Sequence, residues 1–186
     1  ASASRDGHLR LWDAGTGKAL SRQLTAPTDV IGAWYSPDGR TLCLTTPGPR
    51  IHLWNITADR ESRQLWLGDA IPQATAFRPD GRELAATSNI GQLRLWEWGT
   101  GKAILTGEGY CTSSHGLAFS PDGRLLACSG WGARMQIWDA TTHKLLHTLP
   151  GNAPGYTWSV AFHPDGGQLA SAGEDGTVRL WDPIKG

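Results

Sequence analysis

Val178-Arg179-Leu180-Trp181 alternates apolar and polar residues and ends on tryptophan, a pattern typical of a half-buried β-strand. The pattern occurs five times, and successive tryptophans lie 42, 42, 42 and 43 residues apart. A fixed period of this length predicts one supersecondary unit that is copied and stacked in an array. The other copies are Leu9-Arg10-Leu11-Trp12, Ile51-His52-Leu53-Trp54, Leu93-Arg94-Leu95-Trp96 and Met135-Gln136-Ile137-Trp138.

A proline-aspartate-glycine triplet follows the same period and predicts a tight turn between two strands. Its copies are Pro37-Asp38-Gly39, Pro79-Asp80-Gly81, Pro121-Asp122-Gly123 and Pro164-Asp165-Gly166. Each aspartate precedes the next tryptophan by 16 residues, whereas the intervals from tryptophan to aspartate are 26, 26, 26 and 27 residues. The one inserted residue therefore falls between Trp138 and Asp165, and we expect it in the loop of residues 150–155. Insertions in repeat arrays collect in loops on one face.

Residues 157–182 are the cleanest copy of the unit. Trp158 to Phe162, Gln168 to Ala172 and Thr177 to Trp181 predict three strands separated by turn residues. A small polar turn and a fourth run follow each tryptophan, as in Asp13 to Leu20. The unit is therefore predicted to be a four-stranded antiparallel meander, and no segment shows a convincing helical period.

Together these motifs resemble WD40 repeats, the family whose members form β-propellers. The resemblance covers nearly the whole chain. Its marks are the triplets and the pairs Trp12-Asp13, Trp138-Asp139 and Trp181-Asp182, with the diverged Trp54-Asn55 and Trp96-Glu97. The resemblance implies an all-β fold, a β-propeller of four-stranded antiparallel blades with about four and a half repeats, and an incomplete ring.

A single propeller segment over residues 1–186 is the implied domain organisation. It comprises a partial blade at residues 1–25, blades at about 28–67, 70–107 and 113–149, and a partial blade at 156–182. Three arrangements would satisfy the open ends. In the first the sequence is cut from a longer gene product, in the second copies associate to close a ring, and in the third residues near 18–25 complete a four-bladed ring.

WD40 repeats also use a buried tetrad of histidine, serine or threonine, aspartate and tryptophan, and here the match is partial. Ser171, Asp175 and Trp181 fit the last repeat, and Ser2, Asp6 and Trp12 fit the first. The hydroxyl position of the other repeats holds Leu44, Ala86 and Cys128, and the histidine position holds Asp69, Tyr110 and Asn152. The middle blades are therefore expected to rely on apolar packing.

The composition limits the classes of partner. The chain carries 17 lysines and arginines against 17 aspartates and glutamates, so nothing in its net charge attracts nucleic acid. Its apolar stretches are too short for a membrane span. Cys43, Cys111 and Cys128 form an odd set without a paired spacing, which is typical of unpaired, buried cysteines in a reducing compartment. A cytoplasmic location is the resulting prediction.

Two features partly resemble ligand-binding motifs, a phosphate-binding loop and a zinc site. Gly15-Thr16-Gly17-Lys18 and Gly99-Thr100-Gly101-Lys102 lack the upstream glycine and the following hydroxyl residue of a phosphate-binding loop, so hairpin turns are predicted. Cys111 and His115 are spaced like half a zinc site, but no second pair completes it. No local catalytic signature is present. The sequence therefore predicts no metal, no cofactor and no enzymatic activity.

The family topology implies a candidate partner-binding face where the turn between strands two and three meets the loop entering strand one. That face comprises Tyr110, His115, Trp131, Arg134, Tyr156, Trp158 and Glu174. Tyrosine, tryptophan and arginine are enriched at interface hot spots. The predicted structural residues are Trp12, Trp54, Trp96, Trp138, Trp181, Ser171 and Asp175.

The resulting hypothesis is a non-catalytic scaffold for protein–protein interaction, part of a larger WD40-repeat protein. Its partner would be another protein, with self-association if copies close the ring. An alternative is a small-ligand or glycan-binding propeller in which Trp131, Tyr156 and Trp158 stack on the ligand. A propeller enzyme ranks third, because no convergent acid–base or metal set is visible.

Overall fold

A computed structural model of the chain describes residues 1–4, 8–25, 29–107, 115–130, 134–152 and 155–186. Within these ranges the secondary structure is entirely β, with strands arranged in five sheets and paired antiparallel. The prediction of an all-β fold built from antiparallel meanders is confirmed, since consecutive strands are neighbours in every sheet.

Three sheets have four strands each. The second sheet contains β4 (Gly32–Tyr35), β5 (Thr41–Thr45), β6 (Arg50–Asn55) and β7 (Arg60–Trp66). The third contains β8 (Pro72–Phe77), β9 (Glu83–Ser88), β10 (Leu93–Glu97) and β11 (Ala103–Gly107). The fourth contains β12 (Leu117–Phe119), β13 (Leu125–Ser129), β14 (Arg134–Asp139) and β15 (Lys144–Pro150).

The first and fifth sheets have three described strands each. The first contains β1 (Ser2–Ala3), β2 (His8–Trp12) and β3 (Ala19–Thr25). The fifth contains β16 (Thr157–Phe162), β17 (Leu169–Gly173) and β18 (Val178–Trp181).

The chain forms two compact units, Ala1–Pro72 and Gln73–Gly186. In the first unit the sheets pack through leucines, because Leu9 and Leu11 of β2 share a buried cluster with Leu42 and Leu44 of β5. Burying apolar side chains between sheets removes them from water, and this stabilises the packed pair.

In the second unit the fourth sheet is buried on both faces. Alternate residues of a strand point to opposite faces. Leu126 and Trp138 accordingly pack with Leu93 and Leu95 of the third sheet. Ala127 and Ile137, one residue away, belong to a cluster that includes Val160 and Leu169 of the fifth sheet. This explains why β13 is a nearly continuous apolar run, with Leu125, Leu126, Ala127 and Cys128 in succession.

The predicted proline-aspartate-glycine turns all use one hydrogen-bonding pattern. In each, the aspartate Oδ1 accepts a bond from the backbone N–H two residues later, at 3.0, 2.9, 3.0 and 2.8 Å for Arg40, Arg82, Arg124 and Gly167. The glycine that follows the aspartate has a φ of 68 to 80°, a region in which a Cβ is strained. Both positions are therefore set by local turn geometry.

The residue after the periodic tryptophan also caps a turn. Asp139 Oδ1 accepts the N–H groups of Thr141 and Thr142 at 2.9 and 2.7 Å. Asn55 Oδ1 does the same for Ala58 at 2.7 Å, so the diverged pair keeps the function of the aspartate. Gly17 and Gly101 donate to the carbonyls of Asp13 and Glu97 in such turns, which confirms hairpins at the two glycine-rich segments.

These turns predict that the fold is sensitive to acid. The Ser120 hydroxyl and the Arg124 N–H hold the pKa of Asp122 below its ordinary value of 3.8. The stabilisation is present above pH 3.8 and is lost as the pH falls through the lower folded-state pKa. Six other aspartates share the direction: Asp13, Asp38, Asp139, Asp165, Asp175 and Asp182.

Asp122→Asn is the variant that checks this expectation. The amide oxygen still accepts the turn bond but carries no charge, so the variant should melt below the wild type at neutral pH. The gap in melting temperature should close as the pH falls and Asp122 of the wild type binds a proton. A gap that stays constant with pH would contradict the assignment.

Two further findings bear on earlier predictions. Cys128 is disulfide-bonded, and its partner lies outside the described residues, so the prediction that the cysteines are unpaired is wrong. The Cys43 side chain is buried. No helix within the described ranges is long and apolar enough to cross a bilayer.

Candidate functional site

A buried hydrogen-bond chain organises the loop end of the fifth sheet. The Trp181 indole N–H donates to Ser171 Oγ at 2.9 Å. Ser171 Oγ donates in turn to Asn152 Oδ1 at 2.7 Å, and Asn152 Nδ2 donates to Asp175 Oδ1 at 3.3 Å. Ser171 and Asn152 are buried, so each bond satisfies a group that water cannot reach.

Asn152 occupies the position that a histidine takes in the family tetrad. Its amide supplies both an acceptor and donors, which is what a bridging residue needs between a hydroxyl and a carboxylate. Nδ2 also donates to the Thr177 carbonyl at 3.0 Å and to Thr177 Oγ1 at 2.9 Å. The tetrad of the last repeat is thus complete with asparagine, although the sequence suggested only three of its members.

The first repeat keeps the bond between tryptophan and serine, whereas the second repeat lacks the hydroxyl and packs through apolar side chains. Trp12 donates its indole N–H to Ser2 Oγ at 2.8 Å, and Asp6 lies outside the described residues. Leu44 takes the hydroxyl position of the second repeat and is buried in an apolar cluster. The Trp54 indole donates instead to Asp59 at 3.3 Å.

Next to the tetrad, three aromatic rings form a cluster that we call the aromatic cluster: His115, Tyr156 and Trp158. The Tyr156 and Trp158 rings are stacked, with centroids 4.8 Å apart and planes at 27°. His115 lies 5.0 Å from Trp158 and 6.5 Å from Tyr156. Trp158 is 44% exposed, so the cluster combines fixed ring geometry with accessible aromatic surface.

A β-bulge places Trp158 in this position. Thr157 pairs with Gly173 and Ser159 pairs with Ala172, so Trp158 is the extra residue on its strand. Bulges bend a strand and re-aim a side chain, and they are over-represented next to functional sites. The bulge lies in the interval between Trp138 and Asp165 that holds the inserted residue. The sequence predicts that residue in the loop of residues 150–155, which precedes this strand, and does not predict the bulge.

Two hydrogen bonds hold the bulged strand against the fourth sheet. Ser129 Oγ donates to the Thr157 carbonyl at 2.9 Å, and the Thr157 N–H donates to the Gly130 carbonyl at 3.3 Å. A Cβ on Gly116 would lie 2.4 Å from Ser129 Oγ and 2.8 Å from Val160 N. Glycine is needed there for the close approach, which places His115 beside Trp158.

Glu174 closes the loop beside the aromatic cluster. Its Oε2 accepts the Tyr156 N–H at 3.2 Å, and its own N–H donates to the Tyr156 carbonyl at 2.9 Å. Among the described residues Glu174 has no cationic partner. Burial lowers the pKa of His115 from its ordinary value of 6.5, so the imidazole is mainly neutral at neutral pH.

The structure brings four of the seven predicted face residues together: His115, Tyr156, Trp158 and Glu174. Arg134 is exposed at the start of β14, opposite Pro150. Tyr110 and Trp131 lie outside the described residues, as does Cys111.

The five periodic tryptophans differ in burial. Trp96 and Trp138 are buried, and Trp54 and Trp181 pack at the edges of apolar clusters. Trp12 is 43% exposed and is held by its bond to Ser2. The repeated strand pattern therefore reports strand position, whereas the burial of each ring depends on the neighbouring sheet.

No group of three or more metal-ligating side chains comes together in the described part of the chain. A cleft of about 770 Å³ lies on the third sheet, lined by strand and turn residues that include Glu83, Glu97, Thr100 and Lys102. Of the predicted face residues that the structure describes, none lines that cleft.

Comparison with known proteins finds similarity to one repeat family and to one curated protein. The family model described as "WD domain, G-beta repeat" matches residues 101–139 and 143–182. Periodic tryptophan protein 2 homolog from Schizosaccharomyces pombe is 27% identical over 62 residues. That match covers 33% of this chain and 7% of the length of the yeast protein.

Proposed function

We propose that this chain, which contains WD40 repeats, acts as a non-catalytic scaffold that binds another protein through the aromatic cluster and its surrounding loops. The relative and the matched family support an interaction role in general. The observation that carries the specific proposal is the bulge that presents Trp158 beside Tyr156 and His115.

The physical argument rests on the rigidity and exposure of the cluster. Ring stacking and the bond between Tyr156 and Glu174 hold the side chains in place before a partner arrives. A preorganised surface loses less conformational entropy on binding. Aromatic anchors at the centre of an interface contribute most of its affinity.

Trp158→Ala is expected to weaken peptide binding by about tenfold or more, since truncation of an aromatic hot spot costs roughly 2 kcal/mol or more. Random peptides displayed on phage would be selected against the 186-residue chain and their affinities measured by interferometry. Trp66→Ala is the matched control, because Trp66 is 49% exposed but lies on β7. Equal losses in the two variants would contradict the proposed face.

The stacked rings also favour a second candidate, a glycan or small aromatic ligand that stacks on Trp158. Sugars and planar ligands bind to flat aromatic faces of this kind. A glycan array probed with the chain and with Trp158→Ala separates the two functions. Glycan binding that depends on Trp158, without any selected peptide, would replace the scaffold proposal.

A further inference from the structure

The loop beside the aromatic cluster leaves one negative charge without a counter-ion among the described residues. Asp175 is paired with Arg179 at 3.0 Å, so their charges offset each other. Glu174 has only the backbone N–H of Tyr156 as a described partner. The neutral His115 imidazole adds no positive charge to compensate.

The aromatic surface and this charge meet at one residue. Tyr156 stacks its ring on Trp158 and donates its backbone N–H to Glu174. A ligand that contacts the ring of Trp158 therefore lies in the same loop region as the Glu174 carboxylate. Aromatic faces attract cations, and a carboxylate accepts hydrogen bonds from them.

The same chain shows this chemistry within its own fold. The Arg50 guanidinium lies over the Trp66 ring, 5.6 Å from its centroid, and donates to Gln64 Oε1 at 2.5 Å. There the guanidinium of an arginine lies over an exposed tryptophan ring, and a neighbouring side-chain oxygen accepts a hydrogen bond from that guanidinium. At Trp158 the aromatic face and the oxygen are present, and the cation must come from elsewhere.

We propose that the aromatic cluster and Glu174 form a recognition site for an arginine side chain of a partner polypeptide. Arginine fits better than lysine, because its planar guanidinium stacks on a ring while its edge donates to a carboxylate. This inference rests on the proposed function and names the chemistry of the partner. Trp158 supplies the stacking surface, and Glu174 supplies the acceptor and the charge.

The test uses synthetic versions of the peptides selected on the wild-type chain. Each arginine is replaced in turn by citrulline, which keeps the planar shape but has no charge. One such replacement should lower the affinity for the wild-type chain by about tenfold, as loss of a charged, stacked contact predicts. Lysine at the same position should recover part of the affinity.

Glu174→Gln is the decisive variant. Glutamine can still accept the Tyr156 N–H, so the loop should be retained, as checked by circular dichroism and melting temperature. In Glu174→Gln, replacing arginine by citrulline should lower the affinity only about twofold, because the carboxylate charge that attracts the guanidinium is gone. Asp29→Asn is the control, since it neutralises an exposed carboxylate in the other unit and should leave the penalty unchanged.

The outcomes separate this inference from the proposed function. Peptides that need Trp158 but bind equally well with citrulline would overturn the arginine site and leave the scaffold role standing. If citrulline lowers the affinity for Glu174→Gln as much as for the wild type, the arginine does not bind at Glu174, and the inference is also overturned. If no selected peptide depends on Trp158, both proposals fail.

Discussion

Leu126→Ala is expected to lower the free energy of unfolding by ~2–5 kcal/mol, one of the largest losses that a single substitution in this chain can cause. Leu126 is 1% exposed and packs with Leu93, Leu95 and Trp138 in the cluster between the third and fourth sheets. Truncation removes buried methyl groups and leaves a cavity that paired strands on both sides cannot close.

Urea titration followed by tryptophan fluorescence measures this loss. Leu146→Ala is the control, because Leu146 is an exposed leucine of β15 and its truncation should cost well under ~1 kcal/mol. A similar small cost for Leu126→Ala would mean that the two sheets are not packed through this cluster.

Asn152→Asp is expected to cost ~2–3 kcal/mol, although it hardly changes the size of the side chain. The carboxylate cannot donate to Thr177, and it sets a second negative charge next to Asp175. Replacing Nδ2 by oxygen thus turns an attraction at 3.3 Å into a repulsion. Since Asn152 is buried, water cannot replace the lost partners.

The pH dependence distinguishes charge repulsion from simple loss of packing. Two close carboxylates raise one pKa, so a proton should bind between about pH 7 and about pH 4 and restore a donor. The difference in the free energy of unfolding between Asn152→Asp and the wild type should become smaller over that range. Asn152→Ala is the control, and its deficit should stay constant because it adds no titrating group.

The strand and turn positions could be predicted because their causes are local. A strand that alternates polarity and ends on tryptophan recurs at a fixed period, and a proline, an aspartate or a glycine at a turn acts within a few residues. Asp38 and Asp139, for example, bond to backbone N–H groups only two or three residues ahead. Such contacts require no knowledge of the rest of the chain.

The site was predicted only in part, because its contacts cross from one sheet to another. Asn152 looked like a departure from the tetrad until its amide was found between Ser171 and Asp175. The bulge at Trp158 was not predicted, because the spacing shows one inserted residue and the loop of residues 150–155 was its expected place.

The sequence by itself therefore determined the all-β repeat, the order of the strands and the residues that form each turn. Only the tertiary structure decided which side chains meet at the loop end of the fifth sheet. His115 and Trp158 are 43 residues apart in the chain. They touch because Gly116 allows the fourth and fifth sheets to approach closely and the bulge turns Trp158 outward. The periodic sequence pattern follows from interactions within one strand and its turns. A site between two sheets depends instead on how the faces of the sheets pack.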